Sequence, residues 1–171
     1  MALLNRLLDF LANALNKVSG CLLIFMMFTT LADVLTRALF AATSGDVDLT
    51  FIGGIEFIKY GLLLTVMFSL PYAVGRSQVI VDLFTDHFSS KTKAWFEGVY
   101  MLGFVLMGVA MSYRFFHAVE TSKMYGETTQ DLLIPLYYFY GICGFAMAFL
   151  AVEALRCALR CFFSSVEEPA S

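Results

Sequence analysis

Charged positions divide the chain into long apolar stretches. Asp, Glu, Lys and Arg are absent from 18–32, 60–75, 98–113 and 132–152. A helix crosses a hydrocarbon core of about 30 Å with about 20 residues, at a rise of 1.5 Å each. Only the fourth stretch is long enough unaided, and the other three must take in charged residues at one end. The spans expected are 18–40, 55–74, 94–116 and 132–155. The runs are too long for the wall of a barrel and lack its alternation. Ahead of the first span, Leu3, Leu4, Leu7, Leu8, Leu11 and Leu15 recur at helical spacing, with Asn5, Arg6, Asp9, Asn13 and Asn16 elsewhere on the wheel. Residues 1–17 therefore read as an amphipathic interfacial helix. A signal peptide fits less well, because no small-residue cleavage site ends the apolar stretch. Val79–Phe88 is a second interfacial candidate, with Val79, Leu83, Phe84, His87 and Phe88 on one broad face. Residues 162–171 read as a flexible tail. The pattern predicts an all-α membrane protein, a single domain over 1–171 with four transmembrane helices.

Composition agrees. Of 171 residues, 60% are hydrophobic and 15% charged, against about 45–50% and about 25% in soluble domains. A globule this small has too much surface to hide such an excess. A net charge of −3 excludes a basic nucleic-acid binder. Three Pro and little polar content argue against disorder, and four Cys make no disulfide scaffold. Lys and Arg in the flanks set orientation. One side holds Arg6, Lys17, Arg76, Lys91, Lys93, Arg156 and Arg160. The other holds Lys123, plus Arg37, Lys59 and Arg114 if span ends are included. Both termini are expected to be cytoplasmic. The outer loops, 41–54 and 117–131, are acidic, with Asp46, Asp48, Glu120, Glu127 and Asp131.

Charges at membrane depth are costly and so informative. Asp33 falls about 8 Å inside the outer boundary of the core, given the rise from Val18. Arg37 and Glu56 lie near that boundary and Lys59 somewhat deeper. Two geometries are open. In an antiparallel hairpin Asp33 would meet Lys59 and Arg37 would meet Glu56. Alternatively Asp33–Arg37 and Glu56–Lys59 pair within their own helices, at i, i+4 and i, i+3. An ion pathway through these carboxylates is a third reading, but four charges that cancel favour structural pairing.

Signals for chemistry are sparse. His87 and His117 lie on opposite sides and cannot share a haem. Cys21, Cys157 and Cys161 map to cytoplasmic span ends and Cys143 to mid-span. They read as packing residues, with no third ligand to make a metal site of Cys157 and Cys161. There is no phosphate-binding Gly loop, His-Glu-x-x-His or nucleophile beside a base. Neither an internal repeat nor polar groups at mid-membrane suggest a carrier. Gly108-x-x-x-Ser112 and Gly144-x-x-x-Ala148 are helix-packing surfaces. Pro135 sits in the first turn of span four. No catalytic, metal, cofactor or substrate-binding residue is expected, and the chain reads as a scaffold in need of a partner.

The motifs in order resemble the small, DctQ-type membrane subunit of tripartite ATP-independent periplasmic (TRAP) transporters. The likeness runs from about Leu22 to Leu155. It rests on the first span's ending Asp33-Val-Leu-Thr-Arg37-Ala-Leu-Phe40 and on Glu56 opening the second span. It continues with Gly75-Arg76-Ser77-Gln78-Val79-Ile80-Val81-Asp82-Leu83, where the family often has His in place of Gln78. It closes with Gly126-Glu127 leading to Pro135 and an aromatic at Tyr137 or Tyr138. The resemblance implies a bacterial inner-membrane complex that imports an organic acid, such as sialic acid or a C4-dicarboxylate, on a cation gradient, commonly sodium. Its partners would be a large membrane subunit, a periplasmic substrate-binding protein and membrane lipids, with no nucleic acid. Asp33, Arg37, Glu56, Lys59, Gly126, Glu127 and Pro135 become candidates for subunit or docking interfaces or for structural ion pairs. Arg76, Gln78 and Asp82 form a cytoplasmic loop motif. The rival function is a self-sufficient, homo-oligomeric carrier or channel using Asp33 or Glu56.

Overall fold

The computed structural model describes residues 2–44, 49, 53–75 and 90–167. Four helices account for nearly all of them: α1 (Ala2–Ala42), α2 (Gly54–Val74), α3 (Ser90–Tyr125) and α4 (Leu136–Glu167). All four are long and apolar enough to cross a membrane. Among the described residues there is no strand, only an isolated bridge between Thr128 and Pro135.

The boundaries differ from expectation in instructive ways. The amphipathic segment 1–17 and the span 18–40 form one unbroken helix. No Pro or left-handed residue lies near the junction, so nothing there interrupts the hydrogen-bond ladder. At 41 residues α1 is about 60 Å long, twice the thickness of a ~30 Å hydrocarbon core. α3 runs on to Tyr125, which places His117 and Glu120 on its last turns rather than in a loop. α4 starts at Leu136, not at 132, and continues helically to Glu167 through much of the expected tail. The Val79–Phe88 candidate, Asp46, Asp48, Arg76, Gln78 and Asp82 lie outside the described residues.

The helices pack in the order α1, α2, α4, α3, so α4 is central and α1 is an edge. The core is built around α4, with Cys143, Ala146, Met147, Leu150 and Ala154 meeting Met101 from α3 and Met67 and Val74 from α2. α3 and α4 approach closely through small residues. A Cβ on Gly108 would sit 3.0 Å from the Ala151 Cβ and backbone nitrogen, and the Ser112 hydroxyl donates to the Gly144 carbonyl at 3.0 Å. The small-xxx-small pairs thus join two helices of this chain. α1 and α2 run antiparallel. Ser19 donates to the Thr65 carbonyl at 2.8 Å, Gly61 leaves room for the Met26 side chain, and Phe25 meets Phe57 edge to face.

A second tie crosses from α1 to α4 near the chain ends. Arg156 donates to the Asn5 carbonyl at 3.1 Å and to the Asp9 carboxylate, and lies 2.9 Å from Glu153. Glu153 is only 1% exposed. A carboxylate buried in an apolar bundle requires a cation, and Arg156 is placed to be it.

Two outcomes follow for thermal melts of the purified chain. Gly108→Val should destabilise by about 1–3 kcal/mol, because the clash is with backbone and the helices must separate. Gly103→Val should be milder, since nothing lies within 4 Å of a Cβ there. Arg156→Ala, which strands Glu153, should cost about 3 kcal/mol or more. Asp9→Ala should cost less than about 1 kcal/mol, because that carboxylate is 55% exposed. Equal melting points within either comparison would contradict these assignments.

Candidate functional site

The candidate site lies at the bundle end where α2 and α4 begin and α3 stops. α3 terminates at Gly126, whose φ of +64° favours glycine, and the Glu127 N–H reaches back to the Ser122 carbonyl at 3.1 Å. This is a Schellman ending, which leaves the chain turned back on the helix. The following segment closes on itself. The Thr129 N–H donates to the Ile134 carbonyl at 2.9 Å, the Ile134 N–H to the Thr129 hydroxyl at 3.1 Å, and the Leu136 N–H to the Glu127 carbonyl at 3.0 Å. Pro135, which has no N–H to donate, immediately precedes α4, where its fixed φ suits a helix start.

Glu56 holds this loop from α2. Its Oε1 accepts the Asp131 N–H at 2.8 Å and its Oε2 accepts the Leu132 N–H at 3.1 Å. The carboxylate is buried and is satisfied by main-chain donors rather than by a cation. Its position depends on Gly53, which starts α2 with a φ of +92° and leaves space filled by the Leu132 side chain; a Cβ there would come within 2.8 Å of it. Leu132 and Ile134 turn inward and line an apolar groove of about 220 Å³ between α1, α2 and α4, with Met26, Phe57 and Phe139. Tyr60 stacks on Phe139 at 4.4 Å across the same junction. Leu133, between the two inward residues, has a φ of +54° and is 68% exposed. The left-handed conformation costs an L-residue about 1–2 kcal/mol.

The loop's flank is polar. Arg114, His117, Thr121, Glu127 and Tyr140 line a cleft of about 390 Å³, and Lys123 lies over the Tyr137 ring, 5.3 Å from its centre. Such a surface can hold charged side chains of a partner. Within it the Thr121 hydroxyl donates to the His117 carbonyl at 3.1 Å, one turn back on α3, and lies 3.5 Å from His117 Nδ1. Among the described residues no three His, Cys, Asp or Glu converge as metal ligands.

The four charges near one boundary separate. Asp33 pairs with Arg37 in its own helix at 2.9 Å. Lys59 is exposed and lies over the Tyr60 ring at 5.4 Å, and Glu56 goes to the loop. Neither Asp33–Lys59 nor Arg37–Glu56 forms an ion pair, and Glu56 and Lys59 do not pair within α2. Register explains the first two. The Phe25–Phe57 and Met26–Gly61 contacts set Lys59 opposite the Phe25 turn, about two turns short of Asp33. The structure therefore brings Glu56, Gly126, Glu127 and Pro135 to one place and leaves Asp33 and Arg37 apart on α1. It adds Thr129, Leu132 and Leu133 here, and Asp9 and Glu153 at the other tie.

The match to known families decides the class. Residues 26–163 match the model of Tripartite ATP-independent periplasmic transporters, DctQ component. The chain belongs to the DctQ family. No curated protein and no solved structure matches it. As a DctQ component it is a small membrane subunit of a TRAP transporter, a multi-pass membrane protein in a family of transport rather than catalysis.

The Glu56 clasp has a direct readout. In Glu56→Ala the amides of Asp131 and Leu132 lose their acceptor, so their hydrogen exchange should accelerate at least tenfold while α3 core amides near Met101 stay protected. Unchanged exchange at both amides would show that the loop holds itself.

Proposed function

We propose that this DctQ subunit is the static scaffold of an organic-acid importer in the bacterial inner membrane. Both termini would be cytoplasmic, in keeping with the seven basic flanking residues on that side, and the 126–135 loop would face the periplasm. A large membrane subunit would carry the substrate and the coupling ion, commonly sodium. The soluble substrate-binding protein, loaded with an acid such as sialic acid or a C4-dicarboxylate, would dock at the loop end.

The observation that carries this reading is the contrast between the bundle's interior and its outside. The described interior around α4 is mainly Met101, Met147, Leu150 and Cys143, and its polar members are local ties, Ser112 to the Gly144 carbonyl and Glu153 to Arg156. From Val18 to Leu35 the outside of α1 is apolar nearly throughout, with Phe25, Phe28, Leu31 and Leu35 exposed. That surface suits lipid and a large membrane partner, whereas the interior suits no passenger. The rival carrier needs a carboxylate free to take a cation. Asp33 has a guanidinium beside it, Arg37 bonding its Oδ2 while Oδ1 has no hydrogen-bond partner, and both Glu56 oxygens already accept backbone N–H groups.

Affinity purification of the tagged chain from its native membrane tests the proposal. A stoichiometric, much larger multi-span protein should co-purify. A homo-oligomer of the chain with no such companion would favour the self-sufficient carrier.

A further inference from the structure

We propose that Leu133 is a preset contact residue through which the 126–135 loop engages an apolar dimple on the soluble substrate-binding protein. The inference rests on the transporter reading above and adds to it a specific residue and the chemistry of its counterpart.

Leu133 is unfavourable on two local grounds. Its backbone is in the left-handed region that glycine or asparagine would occupy with less strain, and its apolar side chain is exposed to solvent. Local rules broken together without local return mark a site whose use lies outside the chain. The backbone on both sides is fixed. Asp131 and Leu132 are held by Glu56, and Ile134 exchanges bonds with Thr129 through both its N–H and its carbonyl. The side chains of Leu132 and Ile134 turn the other way and line the groove beneath. Leu133 is thus aimed outward before any partner arrives, which reduces the ordering cost of binding.

The surroundings select the partner. Glu127, Thr128, Gln130 and Asp131 are exposed around Leu133. Insertion into lipid would strip water from two carboxylates, which the bilayer interior penalises. An apolar residue within a polar, acidic rim instead matches a protein surface with an apolar centre and basic or N–H-bearing edges. The loop also precedes the first residue of α4, beyond the apolar helix faces that a membrane partner would cover. Under the proposed orientation this end meets the periplasm, where the soluble protein is.

The test places a benzophenone amino acid at position 133 in the intact membrane complex, and at Leu159 near the opposite end of α4 as a control. Illumination should join position 133, and not 159, to the soluble binding protein, identified by mass. Leu133→Gly, which keeps the left-handed backbone, should then raise the Kd of that protein for the nanodisc-held complex by about fivefold to tenfold, as loss of one central contact does. The melting temperature of the complex should not fall. Adducts from position 133 to the large subunit or to lipid, no adduct, or an unchanged Kd would each overturn the inference. Failure of the wild-type chain to co-purify with a large subunit would instead overturn the transporter reading itself, before any variant is made.

Discussion

One buried carboxylate joins the two halves of the loop end. Glu56 lies in the first turn of α2, out of water, and both its oxygens accept N–H groups from the segment that leads into α4. A carboxylate in such a place must be satisfied or it opposes folding. Here the donors are main chain, so the bond dictates the path of the backbone rather than the identity of a partner side chain. Gly53 lets α2 begin close enough, Gly126 turns the chain out of α3, and Thr129 closes the loop on itself. The inward side chains of Leu132 and Ile134 and the outward, strained Leu133 follow from that path.

The rest of the molecule divides its surface accordingly. α4 is central and meets α3 through Gly108, Ser112 and Gly144, whose small side chains let backbones come close. α1 touches α2 along one side and α4 through Arg156, and leaves the rest of its length bare. The described interior is mainly apolar, its buried polar groups tied within the bundle as Ser112 is to Gly144 and Glu153 to Arg156, and much apolar surface is left over outside. Membership of the DctQ family gives that surface its setting beside a larger subunit.

Much of the fold was legible in the sequence because bilayer thickness acts on composition directly. Four charge-free stretches gave four helices, and α2 begins within a residue of expectation. The ends of the others were not legible for particular reasons. Nothing in the sequence marks a stop between Lys17 and Val18, because helix continuity needs only the absence of a breaker. Leu132, Leu133 and Ile134 read as the start of a span, yet they lie in a loop, Leu132 and Ile134 lining the groove and Leu133 exposed. Glu56 stands out in the sequence as a charge at a membrane boundary, with Arg37 and Lys59 as the cations that spacing offers it. Its true partners were amides, which every residue carries and no sequence advertises. Glu153 beside Arg156 was the missed signal at the other end, since an acidic residue closing a charge-free run needs a nearby cation. Asp9 lies too far along the chain for spacing to find.

The scaffold role is tested most directly by uptake into proteoliposomes that hold the large subunit, with the binding protein and a labelled organic acid outside and a sodium gradient imposed. The comparison is between vesicles with and without this chain. Gradient-driven import only when the chain is present is the expected result. Import at the same rate in its absence would contradict it.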